Sequence, residues 1–162
     1  GIELYFEKSI ADRIQYDISA TYLHIENDFI DVLNPSSAVS YFARANLSWN
    51  IANRWVLGSN LLFREGNIYF PIVDKTFDEE LMVFQPFYSD SSEQLPNYFT
   101  LGVSISNEYA LGEKMTAICF ASVNNLSNHD NLRAYSYNAD YAHRTAQLFS
   151  GRTFYFGAVV RF

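Results

Sequence analysis

Cysteine is nearly missing from this sequence: Cys119 stands alone among 162 residues. That count excludes disulfide scaffolds and Cys-rich zinc sites. Basic residues are also scarce, with 11 Lys and Arg against 18 Asp and Glu for a net charge of −7, and they are scattered along the chain. A nucleic-acid footprint wants them clustered on one face, so no nucleic-acid partner is expected. No stretch approaches the roughly 18 consecutive apolar residues of a membrane-spanning helix. Helical insertion is therefore excluded. The sequence opens on Gly1 and enters a strand-like run at once, without the basic and apolar segments or the cleavage site of a secretory signal. A fragment or a processed piece is expected. His24, His129 and His143 lack the paired spacing of a metal site, and no nucleophile has a base beside it. No metal, no cofactor and no enzymatic activity are expected.

What the sequence does have is alternation of apolar and polar residues, the mark of strands whose successive side chains point to opposite faces. Tyr41, Ala43, Ala45, Leu47, Trp49 and Ile51 alternate with Arg44, Asn46, Ser48 and Asn50, and only Phe42 trespasses. Ile14, Tyr16, Ile18, Ala20 and Tyr22 alternate in the same way with Gln15, Asp17, Ser19 and Thr21. Leu101, Val103, Ile105, Tyr109 and Leu111 form a third apolar set, broken once by Asn107. Phe154, Phe156, Ala158, Val160 and Phe162 form the last, against Thr153, Tyr155, Gly157 and Arg161. Weaker strands are expected from Ile2 to Phe6, Trp55 to Arg64 and Lys114 to Asn124, where both faces carry apolar residues. The total is about seven strands, each near the roughly 9–11 residues that a tilted transmembrane strand needs.

The connections alternate too. Short turns are expected at Ala11-Asp12-Arg13, Ala52-Asn53-Arg54 and Gly112-Glu113, and long polar segments from Asn27 to Ser40, Gly66 to Asn97 and Leu126 to Arg152. Short turns at one end and long loops at the other are the habit of outer-membrane barrels. Aromatic residues fall at both ends of the strands: Tyr16, Trp49, Trp55 and Tyr109, with Phe162, near the short turns, and Tyr22 and Tyr41, with Phe63 and Phe99, near the long loops. From Tyr41 to Trp49 a strand tilted near 40° climbs roughly 20 Å at about 3.3 Å per residue, close to the lipid-facing band of such barrels.

A soluble sandwich or lipocalin-like barrel also alternates, but its outward face is charged and often rich in Lys. The polar face here is Asn, Ser, Thr, Gln, Gly, Asp and Arg, which suits a wet lumen. The expected fold is an all-β, antiparallel up-and-down transmembrane β-barrel, with residues 1–162 as one unit. An odd strand count puts the first strand's start on the long-loop side, whereas such barrels begin and end on the other. At least one strand is therefore expected upstream. Within Gly66 to Asn97 a hairpin is expected, Asn67 to Val73 pairing with Leu81 to Phe87, with the acidic run Asp74, Asp78, Glu79 and Glu80 as a solvated tip.

Several segments resemble the C-terminal part of a TonB-dependent outer-membrane receptor of the style common in Bacteroidetes. They are Gly1-Ile2-Glu3-Leu4, Ala20-Thr21-Tyr22, Leu95-Pro96-Asn97-Tyr98-Phe99 and Val123-Asn124-Asn125-Leu126-Ser127-Asn128, where Ser127 replaces the family's usual aromatic residue. The closing run to Phe162 is similar to the family's final strand. The resemblance implies a barrel of about 22 strands holding a plug, of which this chain supplies about the last third. It implies localisation in the outer membrane of a Gram-negative bacterium and energised uptake of a chelated metal, a cobalamin-like compound, a glycan or a peptide. It also implies three partners: outer-membrane lipid, a TonB-type energy transducer acting through an upstream plug, and the barrel-assembly machinery, which reads the terminal signal at Phe154, Phe156, Val160 and Phe162. A small non-transporting barrel of about eight strands, adhesive or envelope-stabilising, is the alternative.

For ligand contact the candidates are Tyr135, Tyr137, Asp140 and Tyr141 in the last long loop. Tyrosines give rigid contact area with a polar tip, suited to sugars and aromatic chelates. A packing role within the loop is the alternative. Cys119 shares a face with Ala117, Ala121 and Val123 and is read as a small residue turned toward lipid.

Overall fold

The computed structural model describes residues 1–24, 40–112 and 114–162. Among them there is no helix, and every paired strand is antiparallel to its neighbour. In chain order the strands are β1 (Ile2–Ile10), β2 (Ile14–Tyr22), β3 (Tyr41–Ala52), β4 (Trp55–Arg64), β5 (Ile68–Tyr69), β6 (Ile72–Asp78), β7 (Val83–Tyr88), β8 (Glu93–Gln94), β9 (Tyr98–Ala110), β10 (Thr116–Asn124), β11 (Leu132–Tyr137), β12 (Arg144–Leu148) and β13 (Thr153–Arg161). Seven of them form one sheet in the order β1-β2-β3-β4-β9-β10-β13. Strands adjacent in this sheet are also successive in the chain, apart from two insertions. These rise from the same end of the sheet: β5 to β8 between β4 and β9, and the hairpin β11–β12 between β10 and β13. Strands β1 and β13 are edges, each paired on one side only, so no closed barrel forms among the described residues.

The pairing register carries the alternation across the sheet. Ile18 faces Phe6 and Ala45 across its two ladders, Ala45 faces Leu61, and Leu61 faces Leu101. Further along, Ile105 faces Ala121 and Ala121 faces Phe156. One face of all seven strands is thereby apolar, interrupted by Lys8, Ser59 and Asn107. The other carries Glu7, Asp17, Asn46, Asn60, Gly102 and Ser122, each level with the next or one step removed. The register also assigns the two strands whose sequences were ambiguous. Leu57, Leu61 and Phe63 of β4 and Ala117, Cys119, Ala121 and Val123 of β10 lie on the apolar face. Phe120 lies on the polar face opposite Gly157, where its ring covers the backbone: a Cβ on Gly157 would stand 2.9 Å from it.

Turn chemistry accounts for the short connections. Ala11 and Asp12 both take positive φ, 49° and 53°, and the Arg13 N–H donates to the Ile10 carbonyl at 3.0 Å, the signature of the primed turns that match strand twist. At the second turn Arg54 takes φ 63°, and the register slips between Asn50 and Ala52. The bulge ends the regular alternation there, and Ile51 lies within it. At the third, Leu111 N–H donates to the Met115 carbonyl at 2.8 Å, while Glu113 lies outside the described residues. The expected long connection from Asn27 to Ser40 lies outside them too, except for Ser40.

Two expectations about the insertions are corrected. The hairpin between β4 and β9 pairs Ile72–Asp78 with Val83–Tyr88, not Asn67–Val73 with Leu81–Phe87. Asp78 accounts for the shift: its Oδ1 accepts the N–H groups of Glu80 and Leu81, each at 3.0 Å, and Met82 takes φ 53°, so the turn is made by the acidic residues themselves. Ile68–Tyr69 pairs instead with Glu93–Gln94. In the last long connection, read from sequence as loop, β11 and β12 form a further hairpin.

This sheet has no core. Among the described residues the only buried apolar side chains are Leu95 and Ala117, while Leu4, Ile18, Trp49, Trp55, Phe154 and Phe156 of the apolar face are exposed. A sheet stabilised in water covers its apolar face with a second layer; no described residues form one here. A concavity of about 700 Å³ lies on the polar face at the short-turn end, between Arg13, Asn50, Arg54, Ser106 and Glu108. The apolar face has a more open depression, about 390 Å³, beside Phe154 and Phe156.

Candidate functional site

The two insertions meet above the end of the sheet from which they rise, and the meeting place is a cleft of about 300 Å³ walled by Ile68, Tyr69, Tyr88, Tyr135, Tyr137 and Tyr141. Its base is built by backbone contacts that leave no room for variation. Gly66, following β4, lies so close to Leu95 that a Cβ would sit 1.8 Å from the Leu95 carbonyl oxygen. Leu95 N–H donates to the Asn67 carbonyl at 2.9 Å, and the Gln94 side chain donates to the Gly66 carbonyl at 3.3 Å. Leu95 is 4% exposed and also lines the cleft floor.

The second wall rests on asparagines. Asn125 takes φ 50° and Asn128 φ 52°, conformations that Asn tolerates better than most residues. Asn125, 3% exposed, donates from Nδ2 to the His129 carbonyl at 2.9 Å and accepts the His129 N–H at 3.0 Å. Asn128 accepts the Arg152 N–H at 3.1 Å, joining the start of the connection to its end. This gives the Asn124-Asn125-Leu126-Ser127-Asn128 segment a physical reason: it folds the chain sharply enough to seat the hairpin. Arg64 braces both walls from below. Its guanidinium lies 5.1 Å from the Tyr98 ring and 5.7 Å from Phe149, and donates to Asn67 Oδ1 at 2.8 Å.

Across the cleft Tyr69 and Tyr135 approach to 5.2 Å between ring centroids. The Tyr69 hydroxyl donates to Glu93 Oε2 at 2.5 Å, which pushes its pKa above the ordinary value, with partial burial adding to the rise. Arg144 stacks on Tyr135 at 4.4 Å, and Tyr137 and Tyr141 lie 6.2 Å apart. The cleft lining therefore presents tyrosine rings and their hydroxyls together with Arg133, a surface for a flat or polyhydroxylated ligand.

Of the four residues expected to contact ligand, Tyr135, Tyr137 and Tyr141 line the cleft and Asp140 does not. Asp140 ties the hairpins together instead. Its carboxylate is 3.6 Å from Lys75 Nζ, its carbonyl accepts a hydrogen bond from the same ammonium, and Lys75 also lies 5.1 Å from the Phe84 ring. The Ala142 N–H holds the Asp140 carboxyl below its ordinary pKa; partial desolvation opposes this and the Lys75 charge assists it. Tyr69, Tyr88 and Arg144 were not singled out from sequence. Nothing in local periodicity places Tyr69 beside Tyr135, since the contact joins two separate insertions.

The remaining expected residues fall on the apolar face. Tyr16, Trp49, Trp55 and Tyr109 lie toward the short turns, and Tyr22 and Tyr41 pair with one another at the other end, where Tyr41 stacks on Phe63 at 6.0 Å. Phe154, Phe156 and Val160 line the edge strand β13, and Phe162 follows it, 95% exposed. His129 packs edge-on against Phe99 at 6.2 Å, and His143 sits in the β11–β12 turn with its N–H on Asn138. Cys119 is exposed on the apolar face. Compared with protein-family models, with curated proteins and with solved structures, the chain has no match.

Proposed function

We propose that the seven-stranded sheet is a wall segment of a transmembrane β-barrel in an outer membrane. Its apolar face meets lipid, its polar face meets the lumen, and its long connections stand outside the cell. The observation that carries this reading is the relation between polarity and shape: the apolar face is uncovered, while the polar face holds a concavity of about 700 Å³. A soluble barrel or sandwich turns its apolar face inward; a membrane barrel turns it out. Aromatic residues at both ends of the apolar face support the same orientation, since amphipathic rings favour the headgroup level.

Within that barrel the chain serves an active transporter or receptor of the TonB-dependent kind, energised through a plug encoded upstream. Its partners are outer-membrane lipid and the barrel-assembly machinery, which reads the aromatic end of β13. The segment resemblances support this reading, and the tyrosine cleft above the long-connection end suits ligand capture.

Trp49 and Trp55 test the membrane claim, because they are the only two tryptophans and both lie on the apolar face. In bilayers of brominated lipid their fluorescence is expected to be strongly quenched, with weak response to aqueous acrylamide; the reverse pattern would sink the membrane reading. The transport claim rests on the gene upstream of Gly1. Several hundred in-frame codons for further strands and a plug are expected; a signal peptide and one strand alone would leave a small stand-alone barrel.

A further inference from the structure

Beneath the tyrosine cleft, on the polar face of β4, β9, β10 and β13, lies a separate concavity of about 340 Å³ that shares no lining residue with it. Asn60 of β4 and Asn124 of β10 reach over β9 from opposite sides, and Gly102 makes this convergence feasible. A Cβ at Gly102 would stand 2.2 Å from Asn60 Oδ1 and 3.1 Å from Asn124 Oδ1. Both asparagine side chains are exposed to the concavity, and neither has a hydrogen-bond partner among the described residues. Thr100 and Tyr155 add hydroxyls, and Tyr98 and Phe149, 5.3 Å apart and edge to face, add ring surface. No lining residue is charged. Arg64, stacked behind Tyr98 and Phe149, is bonded to Asn67 and the Glu65 carbonyl.

Each carboxamide offers a donor and an acceptor side by side, the pattern that adjacent hydroxyls of a sugar ring satisfy, and ring faces suit the apolar C–H face of the same ring. Paired neutral groups with no fixed charge discriminate by hydrogen bonding, and a ligand lacking the matching groups leaves them unpaired. The volume lies within the range of small-ligand sites. We propose that this concavity is a binding subsite for a short neutral oligosaccharide, held by Asn60 and Asn124 with Tyr155 and Thr100 at its margin. Binding is measured without transport, so the subsite stands or falls separately from the transporter reading.

The test uses the full chain, folded in detergent micelles or, if it folds without them, in buffer, with the far-ultraviolet strand signal as the condition of folding. Saturation-transfer NMR is recorded with maltotriose, cellotriose, mannotriose, xylotriose and the anionic trigalacturonate. At least one neutral trisaccharide is expected to bind, trigalacturonate to bind more weakly than that sugar, and N60L and N124L each to weaken binding about tenfold or more with the fold retained. If either variant fails to fold, T100V and Y155F are the substitutes, with a smaller loss expected from each. The proposal is overturned if no neutral trisaccharide binds the folded chain, if trigalacturonate binds as tightly, or if folded variants bind as the parent does.

Discussion

The side chain of Asn131 is bonded twice to the backbone of Phe99: Oδ1 accepts the Phe99 N–H at 2.8 Å, and Nδ2 donates to the Phe99 carbonyl at 2.7 Å. A single carboxamide thus takes the place of a neighbouring strand at the top of β9, while the Asn131 carbonyl accepts the Phe149 N–H at 2.9 Å. Asn131 is 3% exposed, so its loss strands polar groups away from water. Asn131→Ala is expected to destabilise the folded chain by about 2–4 kcal/mol, the cost of leaving a buried donor and acceptor unpaired. Guanidinium unfolding in detergent reads this as a lower midpoint with unchanged slope; an unchanged midpoint would show that water replaces the carboxamide freely.

At Gly66 the limit is steric. With the Leu95 carbonyl oxygen 1.8 Å from the site of a Cβ, Gly66→Ala must displace the backbone that floors the cleft. A loss of about 3 kcal/mol is expected, at the upper end for overpacking, together with a changed environment for Tyr69 and Tyr135. The same unfolding assay measures the first and tyrosine ring NMR the second. Stability equal to the parent would mean that the base of the insertion is loose.

Ala11 presents the opposite case, a residue that costs the fold energy. It holds φ 49° beside Asp12 at 53°, a region that penalises an ordinary L-residue by roughly 1–2 kcal/mol. Ala11→Asn or Ala11→Gly is therefore expected to raise stability by about 0.5–1 kcal/mol, in keeping with the Asn and Gly preference of primed turns. A decrease would contradict the turn assignment.

Between the hairpins the Asp140 carboxyl is held below its ordinary pKa, chiefly by the Ala142 N–H and then, against partial desolvation, by Lys75. A depressed folded-state value means that the stabilisation is present above the unfolded value near 3.9 and is lost as pH falls through the lower folded value. The Lys75–Asp140 tie is expected to persist at pH 5 and to release only in stronger acid. Carbon-13 NMR titration of the carboxyl, assigned with D140N, gives its midpoint. K75M is expected to raise the midpoint part of the way to the ordinary value, because the Ala142 N–H remains. A parent midpoint already at the ordinary value would contradict the arrangement.

The sheet was legible in sequence wherever one face of a strand differs from the other. Ile14–Tyr22 alternates without a fault and is β2 to the residue, and Trp55–Arg64 is β4 even though its faces were ambiguous. The insertions were not legible in the same way. Their strands have no two-sided environment, and their register follows from local bonds such as those of Asp78 to Glu80 and Leu81, which moved the β6–β7 hairpin from its expected place. For the cleft, the tyrosines of the last connection could be named from composition, but their partners could not. Tyr69 reaches Tyr135 across a separation that only the folded sheet closes, and Asp140 was drawn off into an ion pair with Lys75 from the other insertion.

The central claim, lipid on one face and lumen on the other, is tested most directly by a nitroxide scan along β10 in bilayers. The label is placed at Cys119 and, in a C119S background, at I118C, F120C, A121C, S122C and V123C. The register puts 119, 121 and 123 on the apolar face and 118, 120 and 122 on the polar one. Accessibility to oxygen is expected to dominate at the first three positions and accessibility to a water-soluble nickel complex at the others, alternating with period two. Nickel access at 119, 121 and 123, or no alternation, would contradict the account.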